Sequence, residues 1–177
     1  MSFTIRLATN ADCADVVRVI RAVFDEYNFT WDEGDYHADL YDIESHYTAV
    51  GDDFYVAVVD NSIVGTVGLA RFDKLPGELG SLGEFEGFVR VQGTDCSLER
   101  LYVHPEARRL GLGQALVAHV VKVAEQEGRT AMELWSDKKF VDAHRLYGKF
   151  GAQVIGERIC HDPDQSPEWG LMIDLRS

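Results

Sequence analysis

One stretch of the sequence decides the fold: Leu101-Tyr102-Val103-His104-Pro105-Glu106-Ala107-Arg108-Arg109-Leu110-Gly111-Leu112-Gly113. It predicts a strand followed by a helix, because proline cannot continue a strand's hydrogen bonds and apolar residues at helical spacing follow from Leu112. The intervening loop holds two arginines and two glycines. A helix N-terminus has free N–H groups that attract anions, glycine lets the anion approach, and arginine adds charged hydrogen bonds. The stretch therefore predicts a phosphate-binding loop.

Two common phosphate-binding motifs do not match this loop. A Walker loop requires Lys-Ser/Thr after its second glycine, and a dinucleotide fingerprint requires a third glycine. Here Gly113 is followed by Gln114, Ala115 and Leu116, so neither requirement is met. A nucleotide-binding module without acyl chemistry remains an alternative, as does a glycine-rich turn with surface arginines.

The pattern Arg108-x-x-Gly111-x-Gly113 after a strand resembles the acetyl-CoA signature Q/R-x-x-G-x-G/A of the GNAT superfamily of N-acetyltransferases. A second segment, from Ala143 through Leu146-Tyr147 to Gly151, resembles that family's A-x-x-L-Y-x-x-x-G helix. The two segments come in the family's order with a strand between them. The resemblance extends over nearly the whole chain in element order, and it is strongest over residues 98–152.

The sequence pattern and the resemblance together predict an α/β (α+β) fold with one domain over residues 1–177. We expect a mixed, mostly antiparallel, splayed sheet of about six to seven strands flanked by helices. The expected strands cover residues 3–7, 53–59, 63–72, 84–91, 97–103, 130–135, 153–160 and 169–175. The expected helices cover residues 16–24, 111–127 and 140–150.

Composition and charge exclude several classes of protein. The 46% hydrophobic content is too high for a disordered chain, and 30 acidic against 17 basic residues disfavour nucleic acid and anionic membranes as partners. No run of about 18 apolar residues could span a bilayer, and residues 1–6 lack the charged head and apolar middle expected of a signal peptide. Three scattered cysteines indicate a reducing compartment and no metal site. We expect a cytoplasmic protein, and the resemblance implies a small-molecule amine as its partner and a possible homodimer.

The resemblance implies where acetyl-CoA would bind. The pantetheine would enter between two parting strands, beside Leu101, Tyr102 and Val103, with backbone groups of Leu101 and Val103 pairing to its amides. The pyrophosphate would lie on N–H groups of the following loop, which comprises Arg108, Arg109, Leu110, Gly111, Leu112 and Gly113.

The resemblance also assigns Tyr147 as the proton donor to the departing thiolate, although an aromatic residue on an amphipathic helix can also be part of the core. The family's usual base position falls on Ser97, which cannot serve. Glu99, two residues on, returns to the same strand face and is the first candidate. It could instead pair with Arg100, and the other candidates are Asp137, His104 and water.

Two further features concern the ligands. Phe140 stands where relatives commonly carry Asn, which puts one polar cofactor contact in doubt. From Asp25 to Asp53 ten acids are interleaved with aromatic residues, and no lysine or arginine lies between Arg21 and Arg71. This pattern favours a small cationic amine, or else simply a solvated acidic surface.

The sequence therefore predicts acetyl-CoA-dependent transfer to a primary amine in a ternary complex. Two alternatives stay open: a non-catalytic acyl-CoA-binding regulator, and an acetyltransferase for peptide or protein N-termini.

Overall fold

The structure is a computed structural model that describes residues 2–176. Its helices are α1 (Cys13–Glu26), α2 (Ile43–His46), α3 (Leu112–Gln126) and α4 (Val141–Lys149). Its strands are β1 (Thr4–Leu7), β2 (Asp53–Val59), β3 (Ser62–Arg71), β4 (Leu82–Phe85), β5 (Phe88–Val91), β6 (Cys96–Val103), β7 (Ala131–Asp137), β8 (Gln153–Ile159) and β9 (Pro167–Asp174).

Seven strands form the main sheet, in the order β1-β2-β3-β6-β7-β9-β8. All neighbouring pairs are antiparallel except β6 and β7, which are parallel. Side chains alternate between two apolar clusters along β2: Tyr55 and Ala57 contribute to one, Phe54 and Val56 to the other. Helix α3 belongs to the first cluster and α1 to the second, so helices cover both faces. The predicted fold class is confirmed.

The parallel strands β6 and β7 separate along their length. Their pairing begins at Cys96 with Met132 and ends at Leu98 with Leu134. Strand β6 nevertheless continues to Val103 and β7 to Asp137. Among the described residues, therefore, the edge of β6 that faces β7 has no strand partner beyond Leu98, and a wedge opens there.

A β-bulge interrupts β6 at Arg100, just inside the wedge. Three residue steps on β6, from Glu99 to Tyr102, face only two on β3, from Gly68 to Thr66. Arg100 takes the left-handed conformation, with φ of 50°, and the Thr66 hydroxyl donates to its carbonyl oxygen at 2.8 Å. Because the bulge breaks the alternation of side chains, consecutive residues of β6 line the wedge.

The prediction of a single strand over residues 84–91 is wrong. The segment folds into a two-stranded hairpin of β4 and β5, separate from the main sheet. The chain reverses at Glu86 and Gly87, which both have positive φ, of 52° and 84°. Two such residues in succession form the tight turn whose twist suits a hairpin.

Residues 2–176 contain neither a membrane-spanning helix nor a metal-binding cluster. No helix there combines the length and apolar character needed to cross a membrane. No group of three or more His, Cys, Asp or Glu residues in that range is placed to hold a metal ion.

Candidate active site

A cleft of 1690 Å³ occupies the wedge between β6 and β7. It brings together most of the residues that the sequence singled out. The predicted residues that line it are Glu99, Leu101, Tyr102, Val103, Arg108, Arg109, Gly111, Leu112, Gly113 and Tyr147. Leu110 is not among the lining residues, and its side chain is 41% exposed.

The loop before α3 presents a row of free amides. The first amide to bond back into the helix is that of Ala115, which donates to the Gly111 carbonyl at 3.0 Å. Within the described chain, the amides of residues 108–114 have no backbone acceptor. They lie at the positive end of a 15-residue helix. This arrangement fits the phosphates of a cofactor.

The two glycines of the loop have different roles. Gly111 takes a φ of 76°, which favours glycine, and a Cβ there would have open space around it. A Cβ on Gly113 would lie 3.2 Å from Cδ2 of Leu146, so the second glycine allows α3 to approach α4. Gly113 therefore supports the position of Tyr147, the residue that follows Leu146.

The two loop arginines also differ. Arg108 pairs with Glu26 at the end of α1, with Nη1 2.7 Å from a carboxylate oxygen. Arg109 is exposed and has a positive φ of 67°. Arg108 thus has a competing anionic partner that the sequence did not reveal.

Tyr147 is buried on α4 and lines the cleft. No other group in residues 2–176 hydrogen-bonds its hydroxyl. Burial raises the pKa of Tyr147, and the neighbouring Tyr102 raises it further. The phenol is therefore protonated at neutral pH, with a hydroxyl proton available to a ligand.

Glu99 lines the cleft, and its side chain is exposed there. Desolvation by the surrounding protein raises the pKa of Glu99 to about 6, against the opposing effect of Arg100. The guanidinium of Arg100 pairs with Asp39 at 2.7 Å and not with Glu99. Within residues 2–176 the Glu99 carboxylate therefore has no ion-pair partner, and its raised pKa suits a general base.

The other candidates for the base are less well placed. Asp137 lines the cleft, but one of its oxygens accepts the Lys139 amide at 2.8 Å. His104 does not line the cleft, and its Nδ1 accepts the Glu106 amide at 3.2 Å. Ser97 lines the cleft and has no titratable group.

Phe140 belongs to an aromatic cluster across the cleft. Its ring lies 4.9 Å from that of Tyr27, 5.8 Å from Phe29 and 6.2 Å from Tyr102. Tyr27 and Phe29 lie just after the C-terminal end of α1, whereas Phe140 lies just before the first residue of α4. An apolar bridge between the two walls therefore includes Phe140, at the position where the family resemblance implied an asparagine.

Most of the ten acids in the segment from Asp25 to Asp53 do not reach the cleft. Of these ten, Asp35 and Asp52 line it. Others have structural partners within the chain: Glu26 with Arg108, Asp39 with Arg100, Asp53 with Arg71, Asp42 with the Ser45 amide and Glu44 with the Asn10 amide.

Sequence reasoning missed two ion pairs in the cleft wall. Arg90 of the hairpin pairs with Glu133, and Arg158 of β8 pairs with Glu168 at 2.9 Å. Both glutamates are buried, with exposures of 1% and 7%. The signal was a glutamate inside an apolar strand, Ala131-Met132-Glu133-Leu134, because a buried charge requires a partner.

Comparisons with known proteins agree with this architecture. The family model described as "Acetyltransferase (GNAT) family" matches residues 18–152. An uncharacterised N-acetyltransferase of Schizosaccharomyces pombe is 38% identical over 68 residues, which span 38% of this chain and 41% of that protein. A GNAT-family acetyltransferase from Staphylococcus aureus Mu50 has a TM-score of 0.75 and 21% identity, covering 99% of this chain and 100% of its own.

A further solved structure carries a ligand. The acetyltransferase yncA from Salmonella typhimurium, solved with its cofactor acetyl-CoA, has a TM-score of 0.70 and 18% identity. The match covers 100% of this chain and 96% of that chain. At these identities the two structures show the shared fold.

Proposed function

Because this chain belongs to the acetyltransferase (GNAT) family, we propose that it transfers an acetyl group from acetyl-CoA to a primary amine. The observation that carries the proposal is a single cleft lined by the free amides before α3, the open edge of β6, Tyr147 and Glu99. Acetyl-CoA, when bound, supplies the acetyl group as a reactive thioester.

The chain's backbone provides the binding surface for the donor. The amides of residues 108–114 are free to hold phosphate oxygens at the positive end of α3. The unpaired edge of β6 beyond Leu98 can pair with an extended amide-bearing group, as an added strand would.

Glu99 is the proposed general base. A primary amine arrives as an ammonium ion, since its pKa is about 10, and it must lose a proton before it can attack. With a pKa of about 6, Glu99 is mostly ionised at pH 7 and can accept that proton directly or through one water.

Tyr147 is the proposed general acid. Its hydroxyl opens to the cleft and lacks a partner in the described chain, so it can donate to the sulfur that leaves the acetyl group. Burial raises the pKa of this phenol. The same desolvation makes a thiolate more basic, because both anions lose hydration, and proton transfer between them remains accessible.

For the acceptor we propose a small amine with one ammonium group at the reacting end. Glu99, Asp35 and Asp52 line the cleft and lack an arginine side-chain partner there. The negative charge of these three carboxylates favours an acceptor with a cationic group. A large polycation is less well supported, because most other acids of the segment from Asp25 to Asp53 do not line the cleft.

A thiol-release assay tests the proposal. The protein is incubated with acetyl-CoA and a panel of amines, and free coenzyme A is measured together with acetyl-CoA affinity by calorimetry. We expect thiol release only when an acceptor is present. Tight binding without release from any amine would instead identify a non-catalytic acyl-CoA-binding protein. Tighter binding of ATP or NAD than of coenzyme A would identify a nucleotide-binding module.

A further inference from the structure

We propose that the acceptor carries a carboxylate as well as its amine, and that Arg90 and Arg158 bind this carboxylate. The acceptor class is therefore an amino acid or a close analogue. This inference rests on the proposed function. It identifies a second group of the acceptor, a carboxylate that binds to the protein but does not react.

Four arginines line the cleft on the side away from the phosphate loop: Arg71, Arg90, Arg100 and Arg158. All three guanidinium nitrogens of Arg71 already donate hydrogen bonds within the protein. Its Nε and Nη2 donate to Glu127, Nη2 also donates to Asp53, and Nη1 donates to the Gly51 carbonyl at 3.0 Å. We exclude it as a ligand site.

The guanidinium of Arg100 is not accessible from the cleft. Its Nε and Nη2 donate to Asp39, and Nη2 also donates to the Tyr36 carbonyl at 2.6 Å. Its Nη1 is fully buried and has no partner in the described structure. A ligand in the cleft cannot reach that nitrogen unless the side chain moves.

Arg90 and Arg158 each keep one amino group for a ligand. Arg90 uses Nε and Nη2 on Glu133, and Arg158 uses Nε on Glu168 and Nη1 on the Val89 carbonyl. Nη1 of Arg90 and Nη2 of Arg158 have no acceptor in residues 2–176, and neither nitrogen is buried without a partner. The two side chains are 25% and 18% exposed.

Half-buried aromatic rings and buried carboxylates hold both guanidinium planes in position. Arg90 lies over the Phe72 ring at 4.7 Å, and Arg158 lies over the Trp135 ring at 4.1 Å. Glu133 links the two sites, because it binds Arg90 and also accepts the Trp135 indole N–H at 3.1 Å. Such preorganised arginines suit a carboxylate, which they can hold without losing further side-chain freedom.

The position of this arginine pair relative to Glu99 matches a molecule with two opposite charges. Glu133 is paired with Ser97 where β6 and β7 begin to part, and Glu99 lies two residues farther along β6. Two residues of a strand span roughly 7 Å, so the Glu99 side chain lies close to the arginine pair on the same wall of the cleft. Arg90, Arg158 and Glu99 all line the same cleft. The ammonium would meet Glu99 while the carboxylate meets Arg90 and Arg158.

The test compares amino acids with their decarboxylated amines, such as phenylalanine with phenethylamine and alanine with ethylamine. We expect at least one amino acid to exceed its partner amine in kcat/KM by about 10- to 100-fold, the range for a charged hydrogen bond. Arg158→Lys and Arg90→Lys should raise KM for that amino acid and remove its preference, leaving acetyl-CoA affinity unchanged, because lysine lacks the planar second amino group that would meet the carboxylate. Lysine at either position keeps a positive charge for the buried Glu168 or Glu133. Arg6→Gln, which breaks an ion pair with Asp12 outside the cleft, is the control.

The outcomes separate the two proposals. Thiol release that is equal for amino acids and their decarboxylated amines would overturn the carboxylate site and leave the proposed function standing. So would Arg variants that slow both members of a pair equally. Absence of thiol release with every amine would overturn the proposed function, and the carboxylate site with it.

Discussion

Leu98 and Leu134 form the last pair of the parallel strands β6 and β7. Beyond this pair the strands diverge around the cleft that holds Glu99 on β6 and Tyr147 on α4. The departure from regular pairing is therefore what creates the site.

The free amides before α3 can be tested with one added charge. Gly111→Asp places a carboxylate at the proposed phosphate site, and we expect acetyl-CoA affinity to fall at least about tenfold, or ~1.4 kcal/mol. Gly111→Asn is the control, because asparagine and aspartate tolerate the left-handed conformation almost equally and only aspartate carries a charge. Calorimetry measures the two affinities. Equal affinities for the two variants would remove this loop from phosphate binding.

Removal of the ion pair between Arg108 and Glu26 should increase the affinity for acetyl-CoA. Glu26→Gln frees the guanidinium for a phosphate, and an exposed pair is worth up to about 1 kcal/mol, so acetyl-CoA should bind about two- to fivefold more tightly. Glu125→Gln removes one exposed acid elsewhere and controls for net charge. If both variants bind acetyl-CoA as the wild type does, Arg108 has no role in cofactor binding.

Tyr147→Phe should affect turnover and leave binding unchanged. Removal of a general acid lowers kcat by about 10²–10⁴-fold, whereas the buried ring and its packing persist. Because the hydroxyl has no partner in the described chain, Tm should hardly change. Tyr55→Phe removes another phenol, one that donates to Asp53 outside the cleft, and should keep full turnover. Full activity of Tyr147→Phe would make this residue a core aromatic only.

Glu99 should lower the stability of the fold in a pH-dependent way. Desolvation by the protein around the cleft raises the pKa of Glu99 from 4.5 to about 6, although the side chain is exposed to the cleft, so the folded state disfavours the carboxylate. The penalty is absent below pH 4.5, develops between pH 4.5 and 6, and is complete above that range. Glu99→Gln should therefore raise Tm relative to the wild type at pH 8 and leave it unchanged at pH 4. A Tm difference that does not vary with pH would show that Glu99 is not desolvated.

The fold could be predicted well where local chemistry decides it. Pro105 ends β6, the stripe from Leu112 gives α3, and the positive-φ residues Asp60 and Asn61 turn β2 into β3. The hairpin of β4 and β5 was missed because Glu86-Gly87 is a weak turn signal inside an otherwise strand-like run. The bulge at Arg100 left no local signal, since its causes are contacts with Thr66 and Asp39 that are distant in sequence.

The site was only partly accessible to sequence reasoning. Glu99 could be found because strand alternation returns it to the face of Ser97. The pairing of Arg108 with Glu26, and of Arg90 with Glu133, depends on tertiary contacts over 82 and 43 residues, so neither could be read from spacing. The acidic segment from Asp25 to Asp53 suggested a cation-binding surface. Several of its acids instead pair with arginines that are distant in sequence, so their partners could not be predicted from spacing. One domain over residues 1–177, the lack of a metal and a homodimer stay predictions.

Glu99 is the residue proposed to take the proton of the attacking amine, and the pH dependence of kcat/KM tests this role directly. The measurement compares the wild type with Glu99→Gln, and Ser97→Ala is the control. We expect kcat/KM to rise with a midpoint near pH 6 in the wild type and in Ser97→Ala, well below the amine's own titration at about 10. In Glu99→Gln this rise should be lost, and kcat/KM at pH 7 should fall by about 10²–10⁴-fold. If Glu99→Gln keeps both the rise and its activity, Glu99 is not the base.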